Sequence, residues 1–210
     1  MTIAGSKIRR GTGRPADLVE GEVRARIISV AARVFSQNGY SGASIQKIVD
    51  AAGTTKPMVY YYFKNKQALY QEIFRTVHQA IGRAQEKVVL RDDLSIREKL
   101  VAIVATHFKL GLESPERARF MFAAHFGPRR AMPAVHDPEC EDVIFGTLVR
   151  LAGDGVERGE LRGDPIAIAQ ALLGQIMIHL TFHLSDDNPI PITDRLAEDV
   201  VDLLWQGVGI

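Results

Sequence analysis

The chain has 210 residues, of which 46% are hydrophobic and 24% charged, a composition typical of globular proteins and not of disordered ones. No stretch reaches the roughly 18 uninterrupted apolar residues of a membrane span, because Gln170, Gln175 and His179 break the most apolar run, at 166–180. No apolar segment follows the basic N-terminus, so we expect neither a secretory signal nor a membrane partner. The single cysteine, Cys140, excludes an internal disulfide and fits a cytoplasmic protein.

The net charge of +1 is distributed unevenly along the chain. Residues 1–66 carry a net charge of +7, and residues 67–210 carry a net charge of −6. A basic segment attached to an acidic body suggests a polyanionic partner for the first third, with nucleic acid as the leading candidate. Chance clustering together with a basic tail is the alternative interpretation.

Helical patterning begins at about Gly21, after a Gly- and Arg-rich arm at 1–20 that has no periodicity. No segment shows the two-residue alternation of a half-buried strand, so the sequence predicts an all-α fold of about nine helices. Ser95 and Glu98 have the spacing of a capping box, and Ser114, Asp137 and Asp164 each precede a proline that suits a first helical turn. The predicted spans are 21–38, 44–52, 55–62, 66–88, 95–112, 115–126, 138–159, 164–184 and 194–208.

The second and third predicted helices are short and lie on either side of a glycine. Gly39 ends the first helix, Ser44 caps the second, and Gly53 ends it after about two turns. Thr55 can then cap the third. Two short helices joined by a tight turn are typical of a helix-turn-helix, whose second helix can enter the DNA major groove.

The third helix carries four consecutive aromatic residues, Tyr60 to Phe63. Val59 and Phe63 are four residues apart and should pack inward, whereas Tyr60, Tyr61 and Tyr62 cannot share that face. At least two tyrosines should therefore point elsewhere, where phenol hydroxyls are good donors to phosphate. Packing of the tyrosines on the fourth helix is the alternative, which we expect to hold for one of them.

Residues 24–74 closely resemble the DNA-binding domain of Tet-repressor-like (TetR/AcrR-type) transcriptional regulators. The matched features are listed in chain order: Ala31-Ala32, Phe35, Gly39-Tyr40, Ser44-Ile45, Ile48, Ala51-Ala52-Gly53, Val59-Tyr60-Tyr61, Phe63, Asn65-Lys66 and Leu69. The resemblance implies a cytoplasmic homodimer with a helix-turn-helix domain at 21–66, whose three helices read operator DNA. It also implies a helical domain at 67–210 that dimerises and binds a small-molecule inducer.

Carried over by position, the resemblance assigns nine residues to DNA binding. It places Ser44 and Lys66 on phosphate and Gln46 in the groove. It places on the recognition-helix surface Thr55, Lys56, Pro57, Tyr60, Tyr61 and Tyr62. Pro57 and Tyr62 stand where the family frequently has Gly and His, and Thr54 stands where an aliphatic residue is usual.

The basic arm has two interpretations. Lys7, Arg9, Arg10 and Arg14 either contact an adjacent minor groove or phosphates, or form a solvated tail.

The last two helices are the predicted dimer surface. The eighth is apolar on nearly all sides and must be buried on two of them. The predicted contacts from these two helices are Leu172, Ile176, Leu180, Val200, Leu203 and Leu204. Two such helices from each of two chains can form a four-helix bundle, and completion of a monomer core is the alternative.

Polar and soft side chains interrupt the apolar faces of the fifth to eighth helices. Such mixed walls suit a small hydrophobic or aromatic ligand. The predicted ligand contacts are His107, Phe120, Met121, His125, Phe145, Gln175 and His179. The loop at 126–138 is a candidate wall, in which Arg129 and Arg130 either attract an anion or are solvated.

His179 and His183 are four residues apart on one helix, a spacing that can hold a metal. No Cys or carboxylate cluster matches them, so the sequence predicts no metal site and no cofactor, and a metal-responsive regulator is kept as an alternative. Cys140 is either inert packing or a redox switch.

The sequence also lacks a nucleophile elbow, a phosphate loop and a dinucleotide fingerprint, so an enzyme is not expected. We therefore expect a ligand-responsive DNA-binding regulator, a repressor released by its inducer, with a DNA-binding protein without a sensor as a further alternative.

Overall fold

The computed structural model describes residues 20–127, 132–133, 138–185 and 189–208. Within these ranges the chain forms nine α-helices and no β-strand. The helices are α1 (Glu20–Gly42), α2 (Ile45–Ala52), α3 (Lys56–Tyr62), α4 (Lys66–Val89), α5 (Ile96–Glu113), α6 (Pro115–Phe126), α7 (Pro138–Glu157), α8 (Pro165–His183) and α9 (Leu196–Val208). The predicted all-α fold is confirmed, and the helix ends fall within about four residues of those predicted.

Local cap chemistry fixes where most of these helices begin. Ser44, Thr55 and Asn65 each accept a hydrogen bond from the backbone N–H three residues later, which satisfies one of the orphan donors of a helix start. Ser95 and Glu98 form the predicted capping box, in which each side chain binds the backbone N–H of the other residue.

Two glycines set the helix-turn-helix geometry. Gly39, where the sequence predicts the end of α1, has φ 65° and ψ 172° and breaks the helical path before the turn to Gly42. Gly53 closes α2 in the left-handed conformation, with φ 59°, and its N–H donates to the carbonyls of Val49 and Asp50. A side chain at either position would be strained, so the short α2 depends on glycine at its end and before its start.

The first hydrophobic core, here called the head core, joins α1 to α4. Its largest members are Ile27, Phe35, Ile48, Val59, Phe63, Leu69, Tyr70, Ile73, Phe74 and, from α6, Phe120. The predicted domain boundary between residues 66 and 67 coincides with the start of α4. Because the head core continues along α4 to Phe74, the packing does not separate there. We call residues 20–74 the head and the rest of the described chain the body.

The second core, the body core, lies between α5, α7, α8 and α9. Its buried side chains include Leu100, Ile103, Leu148, Leu151, Ile168, Leu172, Ile176, Leu180, Val200 and Val201. An ion pair between Arg97 and Asp202 also joins α5 to α9. The body therefore has a core of its own, formed within one chain.

By length and composition alone, α8 could cross a membrane. Its mean hydropathy is 1.5, and 28% of its most apolar window is buried. The polar residues Gln170, Gln175 and His179 do not lower this mean enough to exclude a span by composition. One face of α8 packs in the body core, as a core helix of a globular protein does. The other face is exposed in the described chain.

Candidate nucleic-acid interface and ligand cavity

The surface around the start of α2 holds two of the residues assigned to DNA binding. Ser44 is exposed, and its hydroxyl oxygen accepts the N–H of Lys47 at 3.1 Å. The Gln46 amide is also exposed and donates to the Asp50 carboxylate at 2.7 Å. Because the amide has a second N–H and an oxygen, Gln46 can keep this bond and still present both groups to a base edge.

The aromatic residues of α3 divide between the head core and the surface. Val59 and Phe63 are buried, as predicted. Tyr60 and Tyr61 are 49% and 69% exposed, so the expectation of two outward tyrosines is confirmed. Tyr62 is half-buried against the head core, with its ring edge-on to that of Tyr61 at 5.0 Å between centroids. Two phenols thus stand outward on a helix of two turns, where they can reach a polyanion.

The first turn of α3 presents three further candidates. Thr55 caps the helix, Lys56 begins it and Pro57 follows in the first turn, where its missing N–H costs nothing. All three side chains are exposed on the head surface. Lys64, directly after α3, is exposed as well and was not among the predicted contacts.

Lys66 has a structural role that the sequence did not indicate. Its ammonium donates to the backbone carbonyls of Tyr40 and Ala43, at 2.9 and 3.1 Å, and lies 4.3 Å from the centroid of the Tyr40 ring. These contacts tie the start of α4 to the turn after α1. An ammonium has three N–H donors, so at most one remains for the predicted phosphate contact.

Some assigned residues lie outside the described part of the chain. The four basic residues of the arm are among them, as are Arg129 and Arg130 of the candidate wall. Cys140 belongs to α7, but its side chain is not among those described. The interpretations of the arm, the wall and the cysteine therefore stay predictions.

A cavity of about 390 Å³ lies between α4, α5, α6, α7 and α8. Four of the seven predicted ligand contacts line it, namely His107, Met121, His125 and Phe145. Its walls are mainly apolar, formed by side chains that include Val77, Ile81, Phe122, Ile144, Leu173 and Met177. A cavity of this size and polarity is typical of small-molecule sites in proteins.

The other three predicted contacts do not line this cavity. Phe120 points to the opposite side of α6 and is buried in the head core. His179 does not line the cavity and packs its ring edge-on to Phe108, at 6.1 Å between centroids. Gln175 is half-buried elsewhere on α8. All three residues lie on helices that reach the cavity. The spacing of apolar residues does not tell which side of such a helix faces the cavity when the helix is apolar on two sides.

Three polar cavity residues were missed, His78, Ser114 and Arg117. Ser114 begins α6 as predicted, but its side chain makes no capping hydrogen bond. A polar residue on an otherwise apolar helix face is the signal that could have identified these residues. Many solvated positions show the same signal, so it is not specific to a cavity.

The three cavity histidines share one hydrogen-bonding arrangement. The Nδ1 atoms of His78, His107 and His125 each lie 2.8–3.1 Å from the carbonyl oxygen four residues earlier on the same helix. Because a carbonyl only accepts, Nδ1 carries the proton, and Nε2 of the neutral ring is an acceptor. The ring of His78 also lies 4.0 Å from that of Phe74 and 5.7 Å from that of His125, measured between centroids.

His107 is the most buried of these groups. Burial lowers the pKa of His107 from its ordinary value, and the hydrogen bond to the Ile103 carbonyl opposes this shift. The ring is therefore neutral. Among the described residues, its buried Nε2 atom has no hydrogen-bond partner.

Four of the six predicted dimer contacts are covered within the chain itself. Leu172, Ile176, Leu180 and Val200 are buried in the body core, which leaves little of their surface to meet a second chain. Leu204 is half-buried against the same core, and only Leu203, 63% exposed, faces outward. The sequence pattern identified the two apolar helices, but α8 is apolar on both faces and the pattern could not tell which one the monomer covers.

The metal alternative gains no support from the described residues, which contain no group of three or more His, Cys, Asp or Glu side chains able to hold a metal ion. The His183 Nδ1 atom lies 3.2 Å from the carbonyl oxygen of Ile190. A stable site needs more ligands than the pair with His179.

Residues 27–73 match the family model described as bacterial regulatory proteins, tetR family. The matched segment covers α1 from its buried stripe onward, the helix-turn-helix and the first turns of α4, which together supply most of the head core. Residues 27–73 are thus a helix-turn-helix, DNA-binding domain of the tetR-family type. The N-terminal and C-terminal helical parts have the fold of solved tetR-family proteins.

Curated relatives match the chain over nearly its whole length. It is 27% identical to the HTH-type transcriptional activator FasR of Mycolicibacterium smegmatis, over 99% of this chain and 95% of that protein. It is also 27% identical to the HTH-type transcriptional repressor NicS of Pseudomonas putida, over 92% of this chain and 89% of that one. A solved structure of a tetR-family regulatory protein from Rhodococcus shares the fold, with a TM-score of 0.72, 21% identity and coverage of 90% of this chain and 97% of that chain.

Proposed function

We propose that this chain is a cytoplasmic, ligand-responsive transcriptional repressor and not an enzyme. It binds a palindromic operator as a dimer through α3 and leaves it when a small hydrophobic or aromatic molecule occupies the cavity. The observation that carries the proposal is the position of α6, which contributes Met121 and His125 to the cavity and the adjacent Phe120 to the head core. A ligand that displaces α6 therefore also displaces a core residue of the DNA-binding head.

A second connection supports the same route. Phe74 belongs to the head core, and its ring lies 4.0 Å from His78 and 5.6 Å from His125, measured between centroids. Both histidines line the cavity. Since packed aromatic rings repack in discrete steps and do not deform continuously, occupation of the cavity can favour one orientation of the head over another.

Dimerisation is proposed through the outer face of α8 and α9, in place of the buried residues that the sequence indicated. Ile178, Phe182 and Leu203 are large, apolar and exposed on these two helices. Ala167, Ala171 and Gly174 continue the outer face of α8 and allow a second helix to approach closely. A twofold dimer through this face presents two heads to a palindrome, whose half-sites are about 34–36 Å apart when separated by one DNA turn.

Repression is favoured because the cavity is connected to the head through α6 and Phe74. A ligand bound in the cavity can therefore move the head and release it from the operator. The relatives include both an activator and a repressor by name, so the sign of regulation needs its own test. A ligand that empties a nearly full operator must prefer the released state by several kcal/mol, about 5.5 kcal/mol for a change from 99:1 to 1:99.

The test is fluorescence anisotropy of the purified full chain on DNA that flanks its own coding region, over a salt series. We expect selective binding that Tyr61→Ala abolishes, since this exposed phenol lies on the recognition helix. The control is Leu90→Ala, which removes an exposed apolar side chain of the body that does not line the cavity and should leave affinity unchanged. If binding is weak and indifferent to sequence, selection from random DNA follows, and failure to enrich any site would refute the regulator proposal.

A further inference from the structure

The walls of the cavity are rich in hydrogen-bond acceptors. His78, His107 and His125 each have the Nδ1 proton committed to a carbonyl of their own helix, which leaves Nε2 as the acceptor of the neutral ring. Arg117 is the one cationic side chain among the described residues that line the cavity. A ligand that matches such walls must bring donors of its own.

Of the three histidines, His107 most clearly requires a hydrogen-bond donor from the ligand. It lines the cavity, it is buried, and its Nε2 atom has no partner within the described part of the chain. An acceptor buried without a partner is costly, so Nε2 requires a donor from whatever fills the cavity, a ligand or water. Because Nδ1 is held by the Ile103 carbonyl at 2.9 Å, the ring can satisfy Nε2 only by meeting an external donor.

We propose that His107 is the specificity-determining residue of the cavity, and that it accepts a hydrogen bond from a hydroxyl or amide N–H group on a mainly apolar, uncharged ligand. This inference rests on the proposed function, since it concerns the same site, and it specifies the ligand's chemistry. A carboxylate at this position would place lone pairs against the lone pair of a neutral imidazole, and a pure hydrocarbon would leave Nε2 unpaired.

The proposal separates two groups of ligands that share shape and hydrophobicity. A phenol or alcohol and its methyl ether have nearly the same size and both can accept, but only the hydroxyl can donate. The ether also leaves the buried Nε2 atom without a partner. Discrimination against it therefore reports the predicted hydrogen bond more directly than affinity alone.

The experiment is calorimetric titration of the full chain with phenols and alcohols of roughly six to fourteen carbons, a range that suits a cavity of this size, each paired with its methyl ether. We expect the best hydroxylated probe to bind on the order of tenfold more tightly than its ether. In His107→Phe, which keeps a planar ring but lacks the acceptor, this ratio should fall to about one. His179→Phe is the matched control and should keep the parent ratio, since His179 does not line the cavity.

Release of operator DNA by the same probes is measured in parallel. If probes bind and release DNA but the parent shows no preference for the hydroxyl, or His107→Phe retains it, the inference about His107 is overturned and the proposed function stands. If no probe of either kind binds, the cavity is not a site for such molecules, and the inference falls together with the ligand-responsive part of the proposed function. Circular dichroism checks that His107→Phe is folded. If this variant does not fold, the preference of the parent chain for the hydroxylated probe over its ether still tests the inference.

Discussion

The ring of Phe120, from α6 of the body, packs edge-on against the ring of Tyr70 in the head core, with centroids 4.8 Å apart and an interplanar angle of 62°. Phe35 of α1 lies 5.1 Å from Tyr70 and 6.2 Å from Phe120, so the three rings form one cluster. Burial raises the pKa of Tyr70 to about 12, with a further contribution from Tyr40, which fits a phenol enclosed by apolar rings. The DNA-binding head is thus completed by a residue of the body.

Phe120→Ala should destabilise the whole chain and not only the body. Deleting a buried phenylalanine costs about 3–5 kcal/mol, because the transfer free energy is lost and a cavity remains. Urea unfolding followed by circular dichroism measures the free energy of unfolding. Phe126→Ala, which truncates a 73% exposed ring on the same helix, should change it by less than about 0.5 kcal/mol. Equal losses in the two variants would contradict the role of Phe120.

Lys56→Gln should weaken DNA binding similarly at all sequences and reduce its salt dependence. Each phosphate contact that is lost removes about 0.9 from the slope of log affinity against log salt concentration. Anisotropy over a salt series gives this slope. The control is Lys109→Gln on α5, an exposed lysine of the body, for which the slope should not change. A slope unaltered by Lys56→Gln would remove this lysine from the phosphate contacts.

The free energy of unfolding should decrease as the pH falls below the ordinary histidine pKa of 6.5, in part because of His107. Burial lowers the pKa of His107 in the folded chain, so below 6.5 the unfolded chain binds more protons and is favoured. His107→Phe should show a shallower decrease between about pH 7.5 and about pH 5.5 in urea unfolding. Leu112→Ala, which removes no titratable group, serves as the control and should retain the steeper parental decrease. A parental slope in both variants would contradict the prediction.

Gln85→Met should stabilise the chain. Gln85 is fully buried on α4, and among the described residues neither its amide nitrogen nor its amide oxygen has a hydrogen-bond partner. Replacing a buried unsatisfied amide by an apolar side chain of similar length removes a penalty of about 1–3 kcal/mol. Thermal unfolding of Gln85→Met should therefore show a raised midpoint, whereas Gln67→Met, at an exposed position of the same helix, should show little change. A lowered midpoint for Gln85→Met would mean that the amide is satisfied in solution.

Ile178→Asp should convert a dimer into monomers without unfolding the chain. A carboxylate at the centre of an apolar interface loses its hydration and has no partner there. Light scattering coupled to size-exclusion chromatography measures the mass. Leu112→Asp on α5 is closely matched, because Leu112 and Ile178 are 43% and 44% exposed, and it should leave the dimer intact. Loss of the dimer in both variants, or in neither, would exclude the proposed face of α8 and α9.

The head could be predicted almost entirely because its signals are local. Ser44 and Thr55 cap their helices with their own side chains, and Gly53 ends α2 through its own backbone conformation. The inward positions of Val59 and Phe63 follow from their spacing on one short helix that has a single buried face. Lys66 is the exception, since its carbonyl partners lie 23 and 26 residues earlier in the chain.

The body was predicted less well because helices such as α6 and α8 carry apolar side chains on two sides. On α6, Phe120 is buried in the head core, while the adjacent Met121 both packs against that core and lines the cavity. On α8, Leu172 and Ile176 complete the body core, while Ile178 and Phe182 are exposed on the other side. Apolar periodicity reports that a face is buried but not what covers it.

By itself, the sequence determined the all-α class, the helix ends and the helix-turn-helix, because caps, glycines and helical periodicity act within a few residues of one another. Only the tertiary structure decided which polar residues meet at the cavity, that α6 joins cavity and head, and which face of α8 is left exposed. Those properties depend on how helices distant in the chain pack together, and side chains three or four residues apart can satisfy the same local pattern in several such arrangements.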